Sequence, residues 1–75
     1  MNIEKEYYVL TTVVNGEVLY LTEKYSFDND ITVALKAKNI LVARFLREDI
    51  ELKRRCCLKI IPIKVTYELK LEDLC

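Results

Sequence analysis

The chain has no histidine, one serine, one glycine and one proline among its 75 residues, and each scarcity removes a kind of chemistry. Without an imidazole, no side chain has an ordinary pKa near neutrality, so the usual agent of general acid–base catalysis is missing. Ser26 has no histidine to deprotonate it, which excludes a serine triad. A single glycine, Gly16, cannot build a phosphate-cradling loop. The three cysteines, Cys56, Cys57 and Cys75, show no Cys-x-x-Cys spacing, so a metal site would need three thiolates and a carboxylate from scattered positions. Adjacent cysteines pair with each other only by straining the peptide between them, and the three read as free thiols in a reducing compartment. Arg54 and Arg55 would favour a thiolate at Cys56 or Cys57. No general acid is at hand to complete a reaction, and inert thiols are the simpler reading. The expectation is a protein that is not an enzyme and holds neither cofactor nor metal.

A run of about eighteen apolar residues, the length of a membrane span, is also lacking. The opening MNIEKEYY alternates charged and apolar residues, unlike a signal peptide. The expected compartment is therefore the cytoplasm. The hydrophobic content is 52%, too high for a disordered chain. A chain this short forms one domain, residues 1–75, and buries only roughly 60–65% of its unfolded surface. Apolar surface in excess of what one small core can use argues for self-association. The formal charge is zero, yet it is segregated: residues 1–30 carry a net −4, residues 31–64 a net +6 and residues 65–75 a net −2.

Residues 6–24, EYYVLTTVVNGEVLYLTEK, place two β-rich runs around Asn15-Gly16, the pair suited to a two-residue type I′ turn. That turn pairs Val14 with Glu17 and sets the register. One face then carries Tyr8, Leu10, Thr12 and Val14 with Glu17, Leu19, Leu21 and Glu23. The other carries Tyr7, Val9, Thr11 and Val13 with Val18, Tyr20, Thr22 and Lys24. Neither is plainly a solvent face, as in strands covered on both sides, although strand propensity alone also favours these residues.

Residues 25–30, YSFDND, form a polar connection in which Asp28, Asn29 or Asp30 could cap a helix, and Asn39 offers a second start. Over residues 40–55 the apolar residues Val42, Ala43, Leu46 and Ile50 fall within about 100° of arc, joined by Leu35 if the helix begins early. Leu41, Phe45 and Leu52 widen that arc, whereas Arg44, Arg47, Glu51 and Arg54 lie opposite. The stripe is wide enough to meet two surfaces. Residues 57–71 return to period two, with Ile61, Ile63, Val65, Tyr67, Leu69 and Leu71 on one side, a strand with one buried and one wet face. Pro62 places that strand at a sheet edge, at a bulge or at its own beginning.

The order strand, strand, helix, strand predicts an α+β fold, β-β-α-β, with a three-stranded antiparallel sheet of order 2-1-3 and one helix on one face. One hairpin face is then left for a partner or a second copy. The apolar candidates for that contact are Tyr20, Leu41, Phe45 and Leu52, in a protein-binding module expected to form a homodimer. The runner-up surface is the basic helix end, Arg44, Arg47, Lys53, Arg54, Arg55 and Lys59, as a nucleic-acid contact. It lacks the aromatic platform that stacks single-stranded bases, since its one aromatic, Phe45, is expected to pack inward. Cations at a helix carboxyl end also interact favourably with the helix dipole without any ligand. Glu48, Asp49 and Glu51 are accounted for by ion pairs with Arg44, Arg47, Arg54 and Arg55 on the same helix.

The segments YYVLTTVVNGEVLYLTEKYSF, DITVALKAKNILVARFLREDIE and KIIPIKVTYEL, in that order, give the chain a layout that resembles small accessory proteins encoded by phages and prophages of Gram-positive bacteria. The resemblance covers the whole chain in length and layout, and the basic helix end departs from it. It implies a regulatory or inhibitory protein that modulates a host or competing-element protein by stoichiometric binding, in the host bacterial cytoplasm. It assigns no functional residue.

Overall fold

The computed structural model describes residues 2–54 and 56–69. Strand β1 spans Asn2–Val14, β2 Glu17–Leu21, β3 Phe27–Asp28 and β4 Lys59–Glu68, and the helix α1 spans Ile40–Arg54. The sheet is antiparallel throughout, in the order β3-β2-β1-β4. The expected three-stranded sheet is therefore corrected to four. The order of the hairpin and the closing strand stands, but the polar connection at 25–30 contains the short β3, pairing Tyr20 with Asp28 and Leu21 with Phe27. Two residues are too few to leave a period in the sequence.

The hairpin has the register that its turn dictates, Val14 opposite Glu17 and Thr11 opposite Tyr20. Asn15 and Gly16 take φ of 53° and 80°, the left-handed pair of a type I′ turn. β1 runs on far beyond the hairpin and pairs with β4 from Thr11↔Lys59 to Asn2↔Glu68. The long axis is accordingly 51 Å, against 27 and 19 Å across.

Of the four candidate caps two are used, by different elements. The Asp30 carboxylate accepts from the Thr32 amide at 2.9 Å and caps a single 3-10 turn, Ile31–Val33. The Asn39 side chain accepts from the Val42 amide at 2.9 Å and starts α1. Between the two caps, Ala37 exchanges backbone hydrogen bonds with Tyr8 (2.8 and 2.9 Å), and the Leu35 amide donates to the Leu21 carbonyl. This segment enters the gap left where β2 stops pairing with β1. Ala34 and Ala37 are buried there, where larger side chains would have no room.

The main core lies between α1 and the Leu10 face of the sheet: Leu10, Leu21, Ile50 and Leu58, with Leu46, Ile60, Phe27, Leu35 and Cys56 packed against it. Leu35 joins it from the loop, not from an early helix turn. Val42, expected in the core arc, is exposed, and Ala43 and Ile50 are the buried helix residues. The opposite face of the sheet is not left bare as expected. Val9 and Thr11 are buried there, and Ile31, Thr32 and Lys36 share a groove of about 470 Å³ with Ile63, Val65 and Tyr67. Its hairpin tip stays open, with Val13 and Val18 exposed.

β4 is an edge strand, one of the three placements that Pro62 allows. Tyr8 spends both backbone groups on Ala37, so its partner Pro62 sits at a non-hydrogen-bonded position whose nitrogen faces outward. The alternation expected of this strand shows on the helix-free face at Ile63 and Val65, half-buried between exposed Pro62, Lys64 and Thr66, whereas Ile61 and Tyr67 of the same row are exposed and Ile60, on the other side, packs against the main core. Leu71 and Cys75 lie outside the described residues, as does Arg55. Among the described residues no helix is long and apolar enough to cross a membrane.

Candidate functional site

The outer face of α1 is the most distinctive surface. Its formation follows from helix geometry: at about 100° per residue, Leu41, Phe45 and Leu52 fall within a narrow arc, together with Glu48, and roughly opposite Ala43 and Ile50. With Ala43 and Ile50 turned into the core, those three side chains must point away from the sheet. Their relative exposures are 70% for Leu41, 72% for Phe45 and 83% for Leu52. Fully burying one side chain of this kind is worth about 1.5–3 kcal/mol, so the stripe is a large store of unrealised stabilisation. Phe45, expected to pack inward, is corrected to outward, because the buried arc of the helix is narrower than its apolar arc.

Tyr20 does not join this stripe. Strand alternation puts it with Val9 and Thr11 on the other face of the sheet, half-buried, so the sheet itself separates it from Leu41, Phe45 and Leu52.

The basic residues are dispersed in the same way. Arg54 holds its guanidinium 5.9 Å from the centre of the Phe27 ring, a cation–π contact with the core's rim. Lys53 pairs with Asp49 one turn back at 3.3 Å. Arg47 is half-buried, Arg44 and Lys59 are exposed, and Lys59 stands on β4. The expected pairing of the helix carboxylates with arginines is also corrected. Asp49 is paired with Lys53, and Glu51 accepts a hydrogen bond from the Leu58 amide at 2.9 Å, fixing the turn after the helix.

Two phenols missed in the sequence meet on the helix-free face. A hydrogen bond with Tyr7, then the nearness of that second phenol, holds the Tyr67 hydroxyl above its ordinary pKa, while Lys36 and Lys5 pull in the opposite direction. Only the long β1–β4 pairing brings residues sixty positions apart to one surface, and nothing local in the sequence signals it. Asp30 lies below the ordinary carboxylate range, because the Thr32 hydroxyl and amide both donate to it. That is a cap and needs no ligand. Cys56 is half-buried in the core's margin and Cys57 is exposed. Among the described residues no cluster of histidine, cysteine or carboxylate could hold a metal ion.

What the fold and this geometry define is a small α+β domain that presents an apolar helix face, with an ionic border, to its surroundings. No family model, curated protein or solved structure matches the chain.

Proposed function

We propose that this protein is a non-enzymatic binding module that acts by occupying a surface on another protein. The observation that carries the reading is the outer stripe of α1, three large apolar side chains aligned and exposed on a rigid element. A stripe of this kind suits a helix-in-groove contact, read through anchors three and four residues apart. Desolvating such anchors, more than total area, supplies binding energy. The resemblance to phage accessory proteins adds the class of target, a host or competing-element protein modulated by stoichiometric binding. Self-association through the same apolar surplus belongs to this reading.

A nucleic-acid contact would need the basic residues gathered, and Lys53 and Arg54 are engaged within the chain. The two readings separate in a pull-down from bacterial lysate with and without nuclease. The expected result is a partner retained after nuclease treatment, lost with Phe45→Asp and kept with Arg54→Glu, with helicity by circular dichroism unchanged in both. Loss on nuclease treatment, with Arg54→Glu more damaging than Phe45→Asp, would overturn the proposal.

A further inference from the structure

We infer that two copies of this chain pair through the outer stripe of α1 with the helices antiparallel. This rests on the binding reading above and adds the occupant and its orientation. Leu41, Phe45, Glu48 and Leu52 are spaced four, three and four residues apart, the rhythm of the packed seam in a helix pair. About a twofold axis placed midway between Phe45 and Glu48, Leu41 faces the partner's Leu52, and Phe45 faces the partner's Glu48.

Glu48, Glu51 and Leu52 line a hollow of about 350 Å³ on the helix. Glu51 is fixed as its wall, since its carboxylate is held by the Leu58 amide. The ring of Phe45, 72% exposed on its own chain, stands on the flank of the stripe away from Glu51 and meets the partner's Glu48 and Leu52 at the edge of that hollow.

Charge selects the orientation. Among the described residues the ion pairs are Lys53–Asp49 and Lys64–Glu4, and neither Arg44 nor Glu48, both exposed, takes part in one. In the antiparallel pair Arg44 lies beside the partner's Glu48, and the twofold axis repeats the contact. A parallel pair would set Glu48 against its own copy in the middle of the apolar seam, two carboxylates desolvated with no cation between them. The self-complementary contact is therefore available in one direction only.

The test is the molar mass by light scattering and sedimentation equilibrium of the parent and four variants, with circular dichroism to establish retained helicity. The parent is expected to be a dimer at tens of micromolar and Phe45→Asp a monomer. Arg44→Glu and Glu48→Arg are each expected to weaken association at least about ten-fold, and the double variant Arg44→Glu with Glu48→Arg to restore it to within about three-fold. A parallel dimer would not be rescued by that exchange, because Glu48→Arg would then face its own copy. A monomeric parent at 100 μM, taken as about the top of the working range, or a double variant as weak as the singles overturns the inference. If the parent is monomeric but Phe45→Asp still loses a protein partner, self-pairing alone has failed. If Phe45→Asp changes neither mass nor partner binding, the binding reading falls with it.

Discussion

Two turn residues, Gly16 and Tyr25, show how little of a turn is set by space and how much by backbone conformation. A Cβ added at Gly16 would meet nothing within 4 Å, yet its φ is +80°, where a side chain is strained whatever the room. Gly16→Val should therefore destabilise the protein by about 1–2 kcal/mol through conformation alone. Chemical denaturation is the measurement, and an unchanged midpoint would show that the turn is not as described. Tyr25, by contrast, adopts φ of 59° without being a glycine. The bonds around it hold it there: its amide donates to the Thr22 carbonyl, the Thr22 amide to the Ser26 carbonyl, and the Thr22 and Ser26 hydroxyls meet at 2.7 Å. The sequence offers no sign of this, since tyrosine has no preference for that region.

In β1 the direction of each backbone group decides what a substitution does. Tyr8 turns its amide and carbonyl toward Ala37 and away from β4. By the alternation of an antiparallel ladder, Glu4 does the same, toward an edge with no paired strand among the described residues, while Lys5 faces Val65 on β4. Proline at position 4 removes an amide that no strand uses; proline at position 5 removes a ladder bond. Glu4→Pro is expected to cost less than about 1 kcal/mol and Lys5→Pro about 3 kcal/mol or more. Thermal unfolding of the two variants side by side checks this, and equal losses would overturn the assigned ladder. Helix α1 shows the same dependence on direction. Its start at Asn39 follows from a side chain that can bond the Val42 amide, and its two apolar sides are separated by which of them the sheet accepts.

The charge segregation read along the chain survives folding only in part. The described basic residues of the central segment are spread over the loop before α1, α1 itself and β4, with Lys53 bound to Asp49 and Arg54 to the Phe27 ring. Phosphate binding draws its strength from several cations neutralising one backbone together. An oligonucleotide titration at low and physiological salt is accordingly expected to show no saturable binding at micromolar protein. Micromolar affinity that falls steeply with salt would restore the basic helix end as the working surface. The apolar surplus, on the other hand, is concentrated by folding. It collects on the outside of α1 and on the helix-free face of the sheet, around Val13 and Val18 at the hairpin tip and along Ile61 and Tyr67 on β4.

What the sequence determined by itself is what short-range chemistry controls. Asn15-Gly16 fixed the hairpin and its register, the 3.6 period marked the helix while leaving its start open between residues 28–30 and Asn39, and Pro62 limited its strand to an edge, a bulge or a beginning, because each of these acts through bonds and angles within a few residues. The antiparallel order of the three long strands followed from their connections. The tertiary structure alone decided which face of the hairpin the helix would cover, because both faces are apolar and local pattern does not choose between them. It alone placed β3 and the segment at Ala37 in the sheet, since two residues or fewer carry no period. It also turned Leu41, Phe45 and Leu52 outward: an apolar arc wider than the sheet can cover must leave part of itself in water, and only packing of Ala43 and Ile50 against the sheet settles which part.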